Sequence, residues 1–169
     1  MYQLSNFIDN DDIRTLAQLG PFQVIEYQRD LSVSPDSAQT AYFSSVMHVR
    51  RRQVLCDLKQ ANITLQAGAM QWSVGNVNAT TGVKGVGDLF GKALRGKVTG
   101  ESAIKPEYTG DGLLVLEPTY KHILLLDLAD WNGSIVLDDG LFLACGRLRA
   151  GGGLTRRTFH REFLLHLVS

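Results

Sequence analysis

Short apolar runs recur along this chain, and Gly, Asn or Asp closes most of them. Leu113 to Leu116 and Ile135 to Leu137 are continuous apolar runs, and Ile123 to Leu128 is one broken only by Asp127, which suits strands buried on both faces. Gly110-Asp111-Gly112, Asn132-Gly133 and Asp139-Gly140 punctuate them, and such sequences supply the positive φ that tight hairpin turns require. Three in close succession predict an antiparallel meander. Phe22 to Tyr27 alternates apolar and polar residues, and Val49 to Leu58 and Ile63 to Trp72 do so less strictly, which is the period of a half-buried strand. No long amphipathic run separates these segments, so a strand-helix-strand architecture is disfavoured. The pattern predicts a mostly β protein, an antiparallel sandwich or barrel.

Helix is expected only in short pieces. Asp11 to Leu19 carries Ile13, Leu16 and Ala17 at helical spacing, with Gly20 and Pro21 behind them as a stop. Asp88 is placed to cap a turn carrying Leu89, Phe90, Ala93 and Leu94, ended by Gly96. Thr155 to Val168 sets Phe159, Phe163, Leu164 and Leu167 at helical spacing, which predicts a short helix over 155–168. The whole reads as one β domain over 1–146 followed by a basic tail over 147–169, where five arginines stand against one glutamate.

Over the full chain Lys plus Arg and Asp plus Glu are 17 each, so no global field draws it to nucleic acid or to an anionic membrane. Cys56 and Cys145 both sit in apolar runs, where a thiol acts as a small hydrophobe, and two reduced core cysteines are expected. The first residues lack a basic start followed by an apolar stretch, and no window reaches about 18 uninterrupted apolar residues. A cytoplasmic location is the expectation, with no signal peptide, transit peptide or membrane span.

Reactive constellations are missing from the pattern. His48, His122, His160 and His166 are scattered, which argues against a metal centre, and no Gly-x-Ser-x-Gly elbow is present. Gly91 to Val98 has the spacing of a phosphate-binding P-loop, but Val98 stands where the magnesium-binding Ser or Thr belongs. No cofactor, no metal and no small-molecule substrate is expected, and the chain reads as a non-enzyme. Trp72 and Trp131 are read as packing residues of the core or of a subunit contact. Two segments carry candidate contacts. Leu89, Phe90 and Leu94 form an apolar stripe among Lys92, Arg95 and Lys97 within a Gly-rich excursion. That stripe suits its own sheet, a sister subunit or an anionic lipid surface. Arg50, Arg51 and Arg52 form a cationic triplet that can face phosphate or RNA, although on a strand at most two of the three share a face.

Ala67-Gly68-Ala69-Met70-Gln71-Trp72, Thr81-Gly82-Val83 with the Gly85 to Gly100 stretch, Gly110 to Leu116, and Asp139 to Ala144 occur in an order and spacing that resemble bacterial members of the altered inheritance of mitochondria 24 family. The resemblance covers about residues 1 to 146. It implies a β-sandwich of the double-stranded β-helix class, similar to the tryptophan RNA-binding attenuation protein fold, with a tendency to oligomerise. It also implies a link, in fungal members, to the mitochondrial inner membrane. It supplies no catalytic residues. After Gly146 the sequence departs from the family pattern, as a shortened or altered C-terminus would, and a strand edge left unpaired is expected there.

The function expected is therefore a non-enzymatic oligomeric scaffold or interaction module, with the 89–97 stripe expected to pack on the protein's own sheet ahead of the other reading, contact with an anionic membrane surface. The alternative is a ring-forming protein that binds a small ligand or RNA. Self-association is the expected partnership, and nucleic acid is disfavoured.

Overall fold

The computed structural model describes residues 4–29, 32–80, 105–132, 135–137 and 140–147, together with the backbone of 148 and 161–167. The alternating segment Phe22–Tyr27 is a strand, β2, preceded by β1 (Ile13–Leu19) across a turn at Gly20 and Pro21. Helix α1 (Ala38–Val46) comes next, then β3 (Arg52–Asp57), β4 (Ala61–Leu65), β5 (Met70–Val74), β6 (Val77–Thr80), β7 (Glu107–Gly110), β8 (Leu113–Leu116), β9 (His122–Asp127), β10 (Phe142–Leu148) and β11 (Arg161–Leu167). These strands make two antiparallel sheets, ordered β1-β2-β3-β8-β5 and β6-β7-β4-β10-β11-β9.

The sheets face each other across one buried cluster. Phe22, Val24, Val54, Cys56, Leu114 and Leu116 of the first sheet pack there with Ala61, Ile63, Leu65, Leu143 and Ala144 of the second. Because side chains alternate along a strand, Ile25, Leu55 and Val115 point the other way. That outer face is covered by Phe7, Ile13, Tyr27, Trp72 and Leu113, and the Phe7 and Trp72 rings lie 5.5 Å apart. The run Leu113 to Leu116 thus lacks polar alternation because both of its faces are covered. Gln53, buried on the outer side, is fully engaged: it accepts from the Tyr27 hydroxyl (2.6 Å) and donates to the Leu116 carbonyl and to Gln71 Oε1 (both 2.7 Å). A buried amide without such partners would cost stability, so this network fixes how β2, β3, β5 and β8 lie against one another.

Gly110-Asp111-Gly112 is not a hairpin turn. It carries the chain from β7 in the second sheet to β8 in the first, beside a reverse crossing at Gly75 and Asn76 between β5 and β6. The two crossings are latched where the Asp111 N–H donates to the Asn76 carbonyl at 2.9 Å. Gly110 has φ +130°, and a Cβ there would collide with that same carbonyl oxygen, so the position requires glycine. A sheet-to-sheet crossing and a hairpin demand the same local backbone, which is why the meander expectation fails.

Other expectations are corrected as well. Ile13–Leu19 is a strand, not a helix: paired to β2 on one side only, it is exposed over most of its length. A bulge between Thr15 and Ala17 breaks its alternation. Arg161–Leu167 is likewise a strand, inserted between β10 and β9, where a helix was expected over 155–168. Its backbone pairs along both edges, so the sheet extends beyond residue 146. The β10 edge expected to stand open is closed by β4 and β11. Residues 135–137 form no strand, and Val136 is almost fully exposed. Ile63 to Trp72 divides into β4 and β5 around Gly68 (φ +79°). Cys56 lies in the first sheet and Cys145 in the second, with no disulfide between them. Burial pushes the Cys56 thiol well above its ordinary pKa.

Candidate functional site

Helix α1 is the element sequence patterning did not find. Ser34 and Pro35 open a 3-10 turn that runs into it, and the chain leaves it through Met47 and His48, the latter at φ +60°. No residue of α1 is buried, so it has no apolar stripe facing a core and no helical period in its sequence. Tyr42, Phe43, Val46 and Met47 are all more than half exposed, with the Tyr42 and Phe43 rings 5.5 Å apart and nearly edge-on. From Ala38 to Met47 there is no Asp, Glu, Lys or Arg.

Beneath α1 lies a cavity of about 550 Å³. Three chain segments build it: the end of β2 with the residues after it (Tyr27, Gln28, Arg29, Ser32, Val33), the helix with its entry and exit (Ser37 to Arg51), and Tyr120 from the connection after β8. Its described lining holds three arginines, Arg29, Arg50 and Arg51, and no carboxylate. Arg29 is ion-paired to Asp12 outside the lining. Arg51 lies over the Tyr27 ring (5.6 Å to its centre) and donates to Ser32 Oγ at 3.3 Å. Arg50 donates one N–H to the Gln28 carbonyl at 2.5 Å and has no carboxylate within ion-pair distance among the described residues.

The arginine triplet is accordingly split. Arg50 and Arg51 line the cavity, while Arg52 lies on the inter-sheet side, where Nε and a terminal nitrogen reach Glu26 Oε2 at 3.1 Å and the backbone pairs with Thr119. Glu26 sits opposite Arg52 in the β2-β3 register and is only 5% exposed, so that ion pair closes one end of the interior. A three-cation surface for a phosphate backbone is not formed. The other candidates, Leu89, Phe90, Leu94, Lys92, Arg95 and Lys97, lie outside the described residues. Trp72 is covered by Phe7, whereas Trp131 is half exposed. Tyr27, Gln28, Arg29 and Tyr120 were invisible as site residues because the cavity is assembled from segments distant in the chain, and no local spacing announces it.

No helix among the described residues is long and apolar enough to cross a membrane. No curated protein sequence matches the chain significantly. Among solved structures, a protein of Streptococcus pyogenes is similar at 23% identity with a TM-score of 0.41, over 91% of this chain and 64% of that one. The chain therefore spans less than two thirds of that protein's length. The family model described as mitochondrial biogenesis AIM24 matches residues 45–151, from the end of α1 through β10 and more than half of the chain. On that match, the chain belongs to the mitochondrial biogenesis AIM24 family.

Proposed function

We propose that this protein is a non-enzymatic interaction module that self-associates through α1 and is built on a double-stranded β-helix similar to the tryptophan RNA-binding attenuation protein fold. The paired crossings between sheets support the fold class, because in such a β-helix the chain passes repeatedly from one sheet to the other. The observation that carries the self-association is the uncharged helix with its apolar side chains in solvent. A helix that buries nothing within its own chain gains stability when another surface covers it. The occupant that fits is a second copy. Two identical patches meet about a two-fold axis, and a patch without formal charge on a chain with equal numbers of acidic and basic residues does so without repulsion.

Tyr42, Phe43, Val46 and Met47 supply the apolar area, at roughly 1.5–3 kcal/mol for each large aliphatic or aromatic side chain fully buried. Association entropy takes back much of that sum, so the complex forms at micromolar concentration and not far below it. Light scattering at micromolar concentration is the test. The parent should run as a dimer or larger species, and Phe43→Ser with Met47→Ser should run as a monomer with an unchanged thermal melt. A strictly monomeric parent would overturn the reading.

A further inference from the structure

We propose that the cavity behind α1 binds a small organic anion with an aromatic or apolar body, and that Arg50 receives its anionic group. At about 550 Å³ the cavity lies within the range of roughly 300–1,000 Å³ that small-molecule sites occupy. Charge selects the sign of the ligand, because the described lining carries three arginines and no carboxylate.

Arg50 is placed to act as the anchor. A guanidinium has five N–H donors, and Arg50 commits one of them to the Gln28 carbonyl, a bond that also holds the side chain in place. It is half-buried, where a charge is screened less than at an open surface. The hydroxyls of Ser44 and Ser45 offer further hydrogen bonds, and Val33, Val49 and Tyr120 of the lining offer apolar surface for the ligand's body. The arginine triplet is split between this cavity and the inter-sheet side, so no continuous cationic track for a polymer backbone is formed, and a compact anion fits better than a nucleic acid.

The test is isothermal titration with three probes of similar body: benzoate, phenyl phosphate and the uncharged benzyl alcohol. Both anions should bind the parent in the millimolar range or tighter, and benzyl alcohol should bind at least about tenfold more weakly, as expected when a charge-assisted hydrogen bond is missing. The stronger of the two anions tells whether the natural ligand is a carboxylate or a phosphomonoester. Arg50→Gln should lose about tenfold or more in affinity for either. Because that substitution also removes the bond to Gln28, a second variant, Ala41→Leu, fills the cavity from the helix without touching an arginine and should abolish binding with the melt unchanged. Phe43→Ser with Met47→Ser changes two residues outside the lining and should bind like the parent, so failure of anion binding is distinct from failure of self-association. The proposal is overturned if neither anion binds at 10 mM (about ten times the upper end of ordinary weak binding), if folded Arg50→Gln binds as the parent does, if Ala41→Leu still binds, or if benzyl alcohol binds as well as the anions.

Discussion

Strand β3 and helix α1 are near neighbours in the chain, yet they are built on opposite terms. In β3, Gln53, Val54, Leu55 and Cys56 are all buried, two toward each face of the sheet, and the one buried polar side chain among them has all its partners. In α1, nine residues bury none, and the helix is held at its ends and by its own backbone. Isolated helices of that length are marginal in water, so α1 persists because the chain around it fixes its ends. The contrast separates two tasks. The strands carry the stability of the molecule, and the helix with its cavity carries surface and space that the fold does not need for itself.

The sharpest way to break that separation is to empty the strand side. Phe22 is fully buried against both sheets and lies on Gly146, whose missing side chain lets the ring approach. Phe22→Ala is expected to cost about 3–5 kcal/mol in urea unfolding. A loss below ~1 kcal/mol would mean the inter-sheet core is not where stability resides.

Next in size is the ion pair at the end of the interior. Arg52→Ala leaves the buried Glu26 carboxylate with the exposed Arg14, 3.4 Å away, and the neutral Gln28 amide at 3.2 Å, and should cost about 3 kcal/mol. Arg50→Ala, at the cavity, should cost no more than about 1 kcal/mol. Equal losses from the two arginines would erase the distinction between strand and cavity.

Cys56 gives a smaller, pH-dependent effect. Its thiol stays protonated in the folded protein because burial raises its pKa, whereas in the unfolded chain it ionises near pH ~8.5. Ionisation therefore favours the unfolded state: the contribution is fully present below pH ~8.5 and is lost as pH rises above it, by about 1.4 kcal/mol per pH unit. Unfolding free energies measured between pH 8 and 10 should fall more steeply for the parent than for Cys56→Ala. Parallel curves would show that the thiol is not shielded.

The least effect is expected on the helix. Phe43→Ser with Met47→Ser should change stability by no more than about 0.5 kcal/mol under monomeric conditions, and amides of α1 should exchange with deuterium far faster than those of β3. A destabilisation of 2 kcal/mol (about the size of a core truncation) would place α1 among the structural elements after all.

The same contrast decides what the sequence reveals. Phe22 to Tyr27 and Leu113 to Leu116 are legible because their side chains answer to a core on one face or on two. Ile13–Leu19 misleads because an exposed edge strand with a bulge has no period to keep, and its Ile13, Leu16 and Ala17 fall at helical spacing by default. Arg161–Leu167 misleads because Phe163, Leu164 and Leu167 also fall at helical spacing, and the backbone pairing along both of its edges that makes it a strand comes from segments distant in the chain. Gly110-Asp111-Gly112 is recognisable as a turn but not as a passage between sheets, since turn chemistry reports local dihedrals and not which strand comes next. The candidate site is half legible. Arg50 and Arg51 stand out as charge, but Tyr27, Gln28 and Tyr120 join them only through tertiary structure.

Strands β6 and β7 pair in register from Val77↔Gly110 to Thr80↔Glu107, so the chain departs at Thr80 and returns directly opposite itself. Both strands then pass to the other sheet through the latched crossings at Asn76 and Asp111. Strand pairing already holds Thr80 and Glu107 together, and the entropy of closing a loop across such a pair grows slowly with its length, by about 0.6 kcal/mol for each doubling. The register of β6 and β7 therefore anchors both ends of the intervening segment through the hydrogen bonds of the sheet itself, in line with the crossing at the far end of each strand.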